Sequence, residues 1–502
     1  MSNRYVVVLD AGSSSLRSLV FDNGNQVVSS ASTPWSYLDV SDVSPWAREF
    51  DPKAAWGDIC RVVNQSLQDA HFGSGRVAAI AVTGQRQAVA FLDVDGRELY
   101  LGPNLDLRAV FEGGQIDQQA GDQIYRTTGH MPSFLLAPAK LRWFREHRPQ
   151  IYERIASVIT LADWIALRLT GELASEPTLA AGAGLLNVER RNWSKDLQRD
   201  LDLVENNHVR LLGAGAIMGR VRECTSRDTA FPLRTPVVVA GADTQCGLLG
   251  MGVSRPTETG VVAGWSAPVQ VVVDDPIMPI PARTWTGCFL TADKWVIEST
   301  AGDVGNAYRW LAQLVCGSTG REFYEMDHLA KEAPAGSEGV FLVLGPPKMD
   351  MSKLGMSTGG ALFPVPLTFD EPSRGQLARA GLEAVAYGVR ANLEQAEEVA
   401  GNVSKQIAVG GGMTKTAAWV ELVADVLGRP VQVMTSNVSA TGAYVCAATA
   451  LGEFSSLEEG GSEMSRGARI LEPDTRDTAE YAGYYEAWLE LAEGLQGQAI
   501  DG

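Results

Sequence analysis

The second half of this chain follows the same order of predicted elements as the first half, and this repetition is the strongest constraint on its fold. Residues 5–10 and 16–22 are apolar runs on either side of a turn of small residues, a pattern that predicts a β-hairpin. Residues 257–263 and 268–274 predict a second hairpin of the same kind. A repeat with a period of half the chain indicates two domains of similar architecture.

Long helical patterns follow the hairpins in both halves. Residues 54–70 are helical in pattern and lead into a short apolar strand at 77–84 that ends in glycine, and residues 376–400 and 406–412 repeat this order. Strands that alternate with helices favour α/β layers with mixed sheets. We therefore predict an α/β protein of two similar domains.

The boundary between the two predicted domains lies at a cluster of glycine and proline. Gly250, Gly252 and Pro256 interrupt the pattern, so the predicted domains are residues 1–251 and 252–502. From about residue 115 to 228 the pattern is largely helical and is not repeated, which predicts a helical insertion in the first domain.

Charge and cysteine spacing exclude several classes of protein. The net charge of -18 is spread along the chain without a basic block, so we expect neither nucleic acid nor a membrane surface as a partner. The six cysteines lack the spacing of a zinc site or redox motif, which indicates reduced thiols and a cytoplasmic location. No apolar run reaches the length of about 18 residues that a membrane span needs.

The turn after the first predicted strand is the first candidate ligand site. Gly12, Ser13 and Ser14 leave backbone amides and hydroxyl groups free to surround a phosphate. At the end of the strand, Asp10 could hold Mg²⁺ through water, and Arg17 could bind phosphate oxygens. A serine-rich hairpin turn without a ligand is the alternative.

An acidic residue at a predicted strand-to-helix junction is the second candidate. Asp243 follows an apolar strand and stands at the start of a helix, where a plain N-cap is the simplest interpretation. An ionised carboxylate at this end of a strand could also accept a hydroxyl proton, because open α/β sheets bind their ligands there. The two interpretations are compatible.

Three consecutive glycines at a second strand-to-helix junction are the third candidate. Gly410, Gly411 and Gly412 would let the backbone pass close to a flat ligand such as a nucleotide base. This turn lacks the P-loop lysine and the spaced glycines of the dinucleotide fingerprint. Nicotinamide cofactors and P-loop chemistry are therefore disfavoured.

The order of these three motifs resembles the FGGY carbohydrate kinases over nearly the whole chain. That family belongs to the superfamily with the sugar-kinase, actin and heat-shock ATPase fold, so the resemblance implies two actin-like, ribonuclease-H-like domains that face each other across a cleft. It also implies ATP and Mg²⁺ as cofactors, with Asp10 holding the ion through water and Asp243 as the general base. The residues that it assigns to ATP and its phosphates are Gly12, Ser13, Ser14, Arg17, Gly264, Ser266, Gly411, Gly412 and Met413.

The resemblance also implies a substrate site. Gln85, Arg86 and Gln87 correspond to the family position that holds sugar hydroxyls, and Asp106 and Arg108 resemble the D-x-R segment beside the same pocket. A surface salt bridge is the alternative for Arg86.

Within the family the chain is most similar to autoinducer-2 kinases and then to xylulokinases. The implied activity is transfer of the γ-phosphoryl group of ATP to a hydroxyl of an open-chain sugar or polyol, such as xylulose or the linear autoinducer-2 precursor. The expected partner is this small molecule, and a homodimer is left open.

Three positions depart from the family pattern. Trp265 and Ser266 follow Gly264 where Gly-Thr is usual, Lys348 lies in a segment that often reads Gly-Glu-Arg, and Asn437 occupies a position that is often acidic. The departures leave the implied ATP binding intact, and Trp265 and the Lys348 region keep open, as the alternative function, a non-catalytic ATP-binding actin-like module or a lapsed kinase.

Overall fold

The computed structural model describes residues 4–38, 40, 43, 45–71, 76–203, 209–264, 266–351, 358–367, 371–434 and 437–496. The chain divides into two compact units. The first contains Met1–Ser254, Asp274–Val296 and Ser439–Met464, and the second contains Arg255–Val273, Ile297–Val438 and Ser465–Gly502. The chain therefore passes between the units repeatedly, whereas the sequence predicted two contiguous domains.

The elements up to Ser254 all belong to the first unit. The strands are β1 (Tyr5–Ala11), β2 (Ser15–Phe21), β3 (Val27–Pro34), β4 (Val77–Gly84), β5 (Val89–Leu92), β6 (Glu98–Gly102), β7 (Ser157–Thr160), β8 (Ala174–Ser175), β9 (Leu186–Asn187), β10 (Asn192–Trp193), β11 (Arg210–Leu211), β12 (Ile217–Arg220) and β13 (Pro236–Ala242). The helices are α1 (Pro52–Asp69), α2 (Val110–Thr128), α3 (Ala137–His147), α4 (Pro149–Tyr152), α5 (Leu161–Thr170), α6 (Pro177–Gly182), α7 (Lys195–Asp200), α8 (Glu223–Asp228) and α9 (Asp243–Gly250).

The remaining elements follow in chain order. The strands are β14 (Thr259–Val262), β15 (Val269–Val273), β16 (Trp285–Cys288), β17 (Trp295–Ser299), β18 (Phe341–Val343), β19 (Gly360–Leu362), β20 (Ile407–Gly410), β21 (Val431–Val433) and β22 (Arg469–Leu471). The helices are α10 (Val304–Cys316), α11 (Glu322–Ala330), α12 (Arg374–Ala400), α13 (Ala417–Leu427), α14 (Val438–Ala450), α15 (Leu457–Met464) and α16 (Thr475–Gln496). Short 3-10 turns lie at Ser133–Leu135, Ala335–Gly339 and Gly412–Lys415.

The central sheet of the first unit has the strand order β12-β13-β4-β1-β2-β3. β1 is buried along its whole length, as expected for an apolar strand that is covered on both faces. It pairs antiparallel with β2, which confirms the first predicted hairpin, and parallel with β4, which in turn pairs parallel with β13. The carboxyl ends of β1, β4 and β13 therefore lie side by side at one edge of the sheet.

Helix α14 comes from the second half of the sequence but packs in the core of the first unit. Ala443 and Tyr444 lie in one buried cluster with Cys246 and Leu249 of α9. A Cβ atom at Gly442 would lie 1.8 Å from the carbonyl oxygen of Cys246. The backbones of α9 and α14 are therefore closer at this point than any side chain would permit.

The second unit has a sheet in which six strands follow the order β17-β15-β14-β20-β21-β22. β14 and β15 are antiparallel, which confirms the second predicted hairpin, and β14 is parallel to β20. The long helix α12 begins with a capping box in which Ser373 and Gln376 satisfy each other's backbone amides, and it ends at Gly401 in the left-handed conformation.

The predicted insertion between residues 115 and 228 is helical but also contains short strands. Helices α2 to α8 account for much of it, and β7 adds an edge to a small sheet of order β6-β5-β7. None of the helices in the described part of the chain is long and apolar enough to cross a membrane.

Candidate active site

Asp10, Arg17 and Asp243 lie at the edge where the parallel strands of the first unit end. In the sheet Asp10 pairs with Arg17 of β2 and with Thr83 of β4. Ala242, the last residue of β13, pairs with Gly84 of β4 and directly precedes Asp243. The carboxylate of Asp10 is almost fully buried and forms an ion pair with the guanidinium of Arg17. Asp10 and, more weakly, Asp243 raise the pKa of Arg17 through their negative charges. One arginine therefore connects the two predicted carboxylates electrostatically.

Asp243 is the first residue of α9 and is half-buried. The N-cap of this helix is Ala242, so the interpretation of Asp243 as the cap is wrong by one position. Its Oδ1 atom accepts the backbone amide of Thr244 at 2.9 Å. The positive end of the helix dipole favours the ionised form of a carboxylate at this position.

Neighbouring side chains form hydrogen bonds to the serine-rich turn after β1. The carbonyl oxygen of Gly12 accepts hydrogen bonds from the indole of Trp35 at 2.8 Å and from the side-chain amide of Gln85 at 3.2 Å. The hydroxyl of Ser13 accepts a hydrogen bond from Asn104 at 2.8 Å. Among the described residues, the amides of this turn have no hydrogen-bond acceptor. Amides that remain available while the carbonyls are bound make the turn suitable for an anion.

The groups around this turn fit Mg²⁺ and phosphate. Asp10 supplies a carboxylate oxygen, the type of ligand that Mg²⁺ prefers, and Mg²⁺ usually retains several water molecules. Because this carboxylate is 1% exposed and paired with Arg17, it offers little surface for direct coordination, and contact through a water molecule is the arrangement that fits. Ser14 is exposed and the side chain of Arg17 is 35% exposed, so both are accessible to phosphate oxygens.

The three residues after β4 differ in their surroundings. Gln85 is buried and connects two loops. Its Oε1 atom accepts the amide of Asn104 at 3.0 Å, and its Nε2 atom donates to the carbonyl of Gly12 in the turn after β1. The guanidinium of Arg86 lies 5.3 Å from the ring of Trp285, a cation–π distance. Gln87 has a left-handed φ of 61°, and its buried Nε2 atom has no partner among the described residues. Arg86 and Gln87 therefore remain the candidates for contact with substrate hydroxyls.

Asp106 and Arg108 differ from the sequence-based expectation. The side chains are 0% and 1% exposed and form an ion pair of 2.7 Å, and Glu49 lies 2.7 Å from the same guanidinium. The hydroxyl of Tyr100 donates to Asp106, and the rings of Tyr100 and Trp143 lie 4.8 and 4.9 Å from the guanidinium carbon. Both charges are satisfied inside the protein. We therefore assign this pair to holding the loop rather than to contact with substrate.

A buried acid beside β13, Glu176, is not among the residues predicted from the sequence. Glu176 is the N-cap of α6, and its carboxylate accepts the amides of Thr178 at 2.7 Å and Leu179 at 3.1 Å. Burial nevertheless raises its pKa to about 7. Hydrogen bonds to the carboxylate oppose this shift, but they do not outweigh the loss of hydration.

We expect Glu176→Gln to remove a pH-dependent component of stability. The unfolded chain releases this proton near pH 4.5, whereas the folded protein keeps it up to about pH 7. The free energy of unfolding of the wild type should therefore fall by about 3 kcal/mol as the pH rises from about 4.5 to about 7, and the variant should lack this fall. Urea unfolding across this pH range measures the difference.

Asp163→Asn is the matched control for this prediction. Burial raises the pKa of Asp163 to about 6, so its own component lies between about pH 3.8 and 6. Between pH 6 and 7 the free energy of unfolding should therefore fall in the wild type and in Asp163→Asn, and this fall should be absent only in Glu176→Gln. Parallel curves for wild type and Glu176→Gln would contradict the prediction.

The second unit brings its two predicted motifs together. Val262 at the end of β14 is level with Gly410 at the end of β20. The amide of Ala263 donates to Gly410 at 2.7 Å, and the amide of Met413 donates to Ala263 at 2.9 Å. Gly411 has a φ of 106°, and a Cβ atom there would lie 2.8 Å from the carbonyl oxygen of Ala263. Glycine is therefore required at this position.

The other predicted residues of the second unit lie next to this contact. Gly264 and Ser266 are half-buried, and the carbonyl of Ser266 accepts the hydroxyl of Thr300 at 2.8 Å. Gly412 is exposed and begins the 3-10 turn. Trp265, the first departure from the family pattern, lies outside the described residues.

The other two departures lie in described segments. Lys348 is half-buried. Both of its neighbours are held by the side chain of Asn392, which donates to the carbonyl of Pro347 at 3.0 Å and accepts the amide of Met349 at 3.1 Å. Asn437 is half-buried and directly precedes α14. The segment around Lys348 is therefore fixed by α12.

Both halves of the chain match models of one family. Residues 5–250 match the N-terminal domain of the FGGY family of carbohydrate kinases, and residues 261–451 match its C-terminal domain. Together these matches cover most of the sequence.

Individual relatives and solved structures agree with these matches. The chain is 28% identical to an autoinducer-2 kinase of Salmonella paratyphi B, with 100% of this chain and 96% of the relative covered. A xylulose kinase structure from Rhodospirillum rubrum is similar with a TM-score of 0.83 and 25% identity, over 98% of this chain and 99% of that one. A gluconate kinase structure from Lactobacillus acidophilus shares the fold with a TM-score of 0.84 at 19% identity, over 99% of both chains.

Proposed function

Because this chain belongs to the FGGY family of carbohydrate kinases, we propose that its acceptor is an open-chain sugar or polyol. The family makes it a phosphotransferase that uses ATP and acts on an alcohol group of a small sugar. The full-length similarity to proteins named autoinducer-2 kinase makes the linear autoinducer-2 precursor the first candidate acceptor. The similarity to a xylulose kinase structure makes xylulose the second.

The alignment of three strand ends is the observation that carries the proposed site. It brings Asp10 and Asp243 to one edge of the sheet, with Arg17 connected electrostatically to both. A phosphate-binding turn and a carboxylate base at one edge are what phosphoryl transfer to a hydroxyl requires.

In the proposed mechanism Asp243 takes or orients the proton of the acceptor hydroxyl. The transition state of phosphoryl transfer is loose, so a weakly basic carboxylate is sufficient when the acceptor is correctly positioned. Arg17 and the amides after Gly12 stabilise charge on the phosphate oxygens. Arg86 and Gln87 bind hydroxyls of the acceptor. When Mg²⁺ is bound it neutralises phosphate charge, and Asp10 is the residue that we propose holds it through water.

The experiment that tests this proposal measures ADP release with Mg-ATP across ketoses, polyols, aldonic acids and the linear autoinducer-2 precursor. We expect one open-chain neutral acceptor to exceed the others by about 10²-fold in kcat/KM, because a polar site rejects acceptors that leave its groups unpaired. Reactions without acceptor give the baseline for hydrolysis by water.

Two results would contradict the proposal. A preference for a cyclic or carboxylated acceptor would refute the proposed substrate class. ATP binding without acceptor-dependent ADP release would instead favour the lapsed kinase, an alternative that the comparisons do not support.

A further inference from the structure

The peptide group between Gly241 and Ala242, which lies one residue before the peptide group of Asp243, is bound by a threonine hydroxyl at each end. The hydroxyl of Thr83 in β4 donates to the carbonyl of Gly241 at 2.7 Å. The amide of Ala242 donates to the hydroxyl oxygen of Thr178 in α6 at 2.8 Å. The two threonines come from different elements, and both belong to the first unit. We call this pair of hydroxyls the peptide clamp.

Glu176 fixes the direction of one hydroxyl in the peptide clamp. The hydroxyl of Thr178 donates its proton to Oε2 of Glu176. Because a hydroxyl has one proton, its oxygen then faces Ala242 as an acceptor only. The hydrogen bond to the peptide group is therefore directional.

The backbone at this point needs such a restraint. The pairing of β13 with β4 is irregular between Val239 and Gly241, and Gly241 has a φ of 128°. A Cβ atom at Gly241 would lie 2.5 Å from Leu290, so glycine is required there. Glycine also has more accessible backbone conformations than any other residue. The pairing with β4 continues at Gly241 and Ala242, and the two side-chain hydrogen bonds add rigidity that glycine itself lacks.

We infer that Thr83 and Thr178 are positioning residues that fix the orientation of Asp243 by holding the peptide group between Gly241 and Ala242, from which the backbone leads into α9. The inference rests on the proposed role of Asp243 as the base. Thr83 is 0% exposed and Thr178 is 2% exposed, so neither reaches a substrate from the surface. They act on the backbone, and a small error in the placement of a base lowers the rate strongly.

The first test compares kcat in Thr83→Val, Thr178→Val and the double variant. We expect each single variant to lose about tenfold or more in kcat while the KM for ATP changes by less than about twofold. Because both hydroxyls hold one peptide group, the double variant should lose less than the product of the single losses. Thr83→Ser and Thr178→Ser keep the hydroxyl and should recover most of the activity.

Thr225→Val is the matched control. The hydroxyl of Thr225 is also buried, and it donates to the carbonyl of Arg168 at 3.0 Å, away from β13. This variant reports the general cost of losing a buried hydroxyl and should leave kcat unchanged. Thr178→Ala serves in place of Thr178→Val if the second methyl group prevents folding.

A second measurement does not depend on activity. In Thr178→Val the amide of Ala242, followed in a peptide covering residues 239–249, should exchange its hydrogen at least about tenfold faster than in the wild type, and Thr225→Val should not change it. Unchanged exchange would overturn the peptide clamp itself, whatever the substrate is.

The outcomes separate the inference from the proposed function. A wild type that is inactive with every acceptor would refute the proposed function, while hydrogen exchange would still decide on the clamp. An active wild type whose folded Val variants keep kcat within about twofold would refute the positioning role alone. Serine variants as impaired as the valine variants would also refute it.

Discussion

Asp243→Asn should lower kcat by about 10²- to 10⁴-fold, the range typical of losing a positioned general base, with ATP binding nearly unchanged. Asparagine has the same shape, and its Oδ1 atom can still accept the amide of Thr244, so α9 should start at the same residue. The variant removes the proton acceptor but leaves Asp10, Arg17 and the phosphate turn in place. Steady-state kinetics with the best acceptor, together with ATP titration, measure both expectations.

Asp196→Asn is the matched control for this prediction. Asp196 also lies in the first turn of a helix, and its side chain is 78% exposed beside Arg199. Its removal should leave kcat unchanged. Near-normal turnover of Asp243→Asn would refute the assignment of the base, and a large rise in the KM for ATP would move its role to nucleotide binding.

Gly442→Ala should cost the protein more than about 3 kcal/mol of stability. The added Cβ atom would lie 1.8 Å from the carbonyl oxygen and 2.9 Å from the Cα atom of Cys246, so two backbones must separate. A flexible side chain can move away from a clash, but the backbone of a buried helix cannot do so cheaply. Thermal and urea unfolding followed by circular dichroism measure the loss.

Gly57→Ala is the opposite case in the same unit. Gly57 lies within α1, and a Cβ atom there meets nothing within 4 Å. Alanine should therefore stabilise the protein by about 0.5 to 1 kcal/mol, because it has less backbone freedom to lose on folding. Equal stability of the Gly442 and Gly57 variants would contradict the close approach of α9 and α14.

Local patterns were sufficient to predict the elements that carry the site. The two hairpins, the strand before Asp243 and the glycine turn at Gly411 all have short-range signals, such as apolar runs that end in small residues. The grouping of Asp10 with Asp243 was expected only from the family resemblance, and the parallel pairing of β1, β4 and β13 accounts for it. Resemblance to a family then gave each motif a chemical role.

Contacts distant in sequence could not be predicted in the same way. Trp285 reaches Arg86 from far along the chain, and no local pattern indicates this contact. Asp106 and Arg108 were expected beside the substrate pocket because they resemble the D-x-R segment of the family. The aromatic rings that enclose Arg108 come from separate elements, so this burial was invisible in the sequence.

The return of α14 to the first unit sets an order of events during synthesis. The core around Cys246 is completed only when the ribosome has made residues up to Met464. At about 5 to 20 residues per second, the roughly 200 residues after Ser254 take about 10 to 40 s to appear. During that interval the nascent N-terminal portion presents an uncovered apolar surface around α9. A first half made without residues 439–464 would keep that surface uncovered.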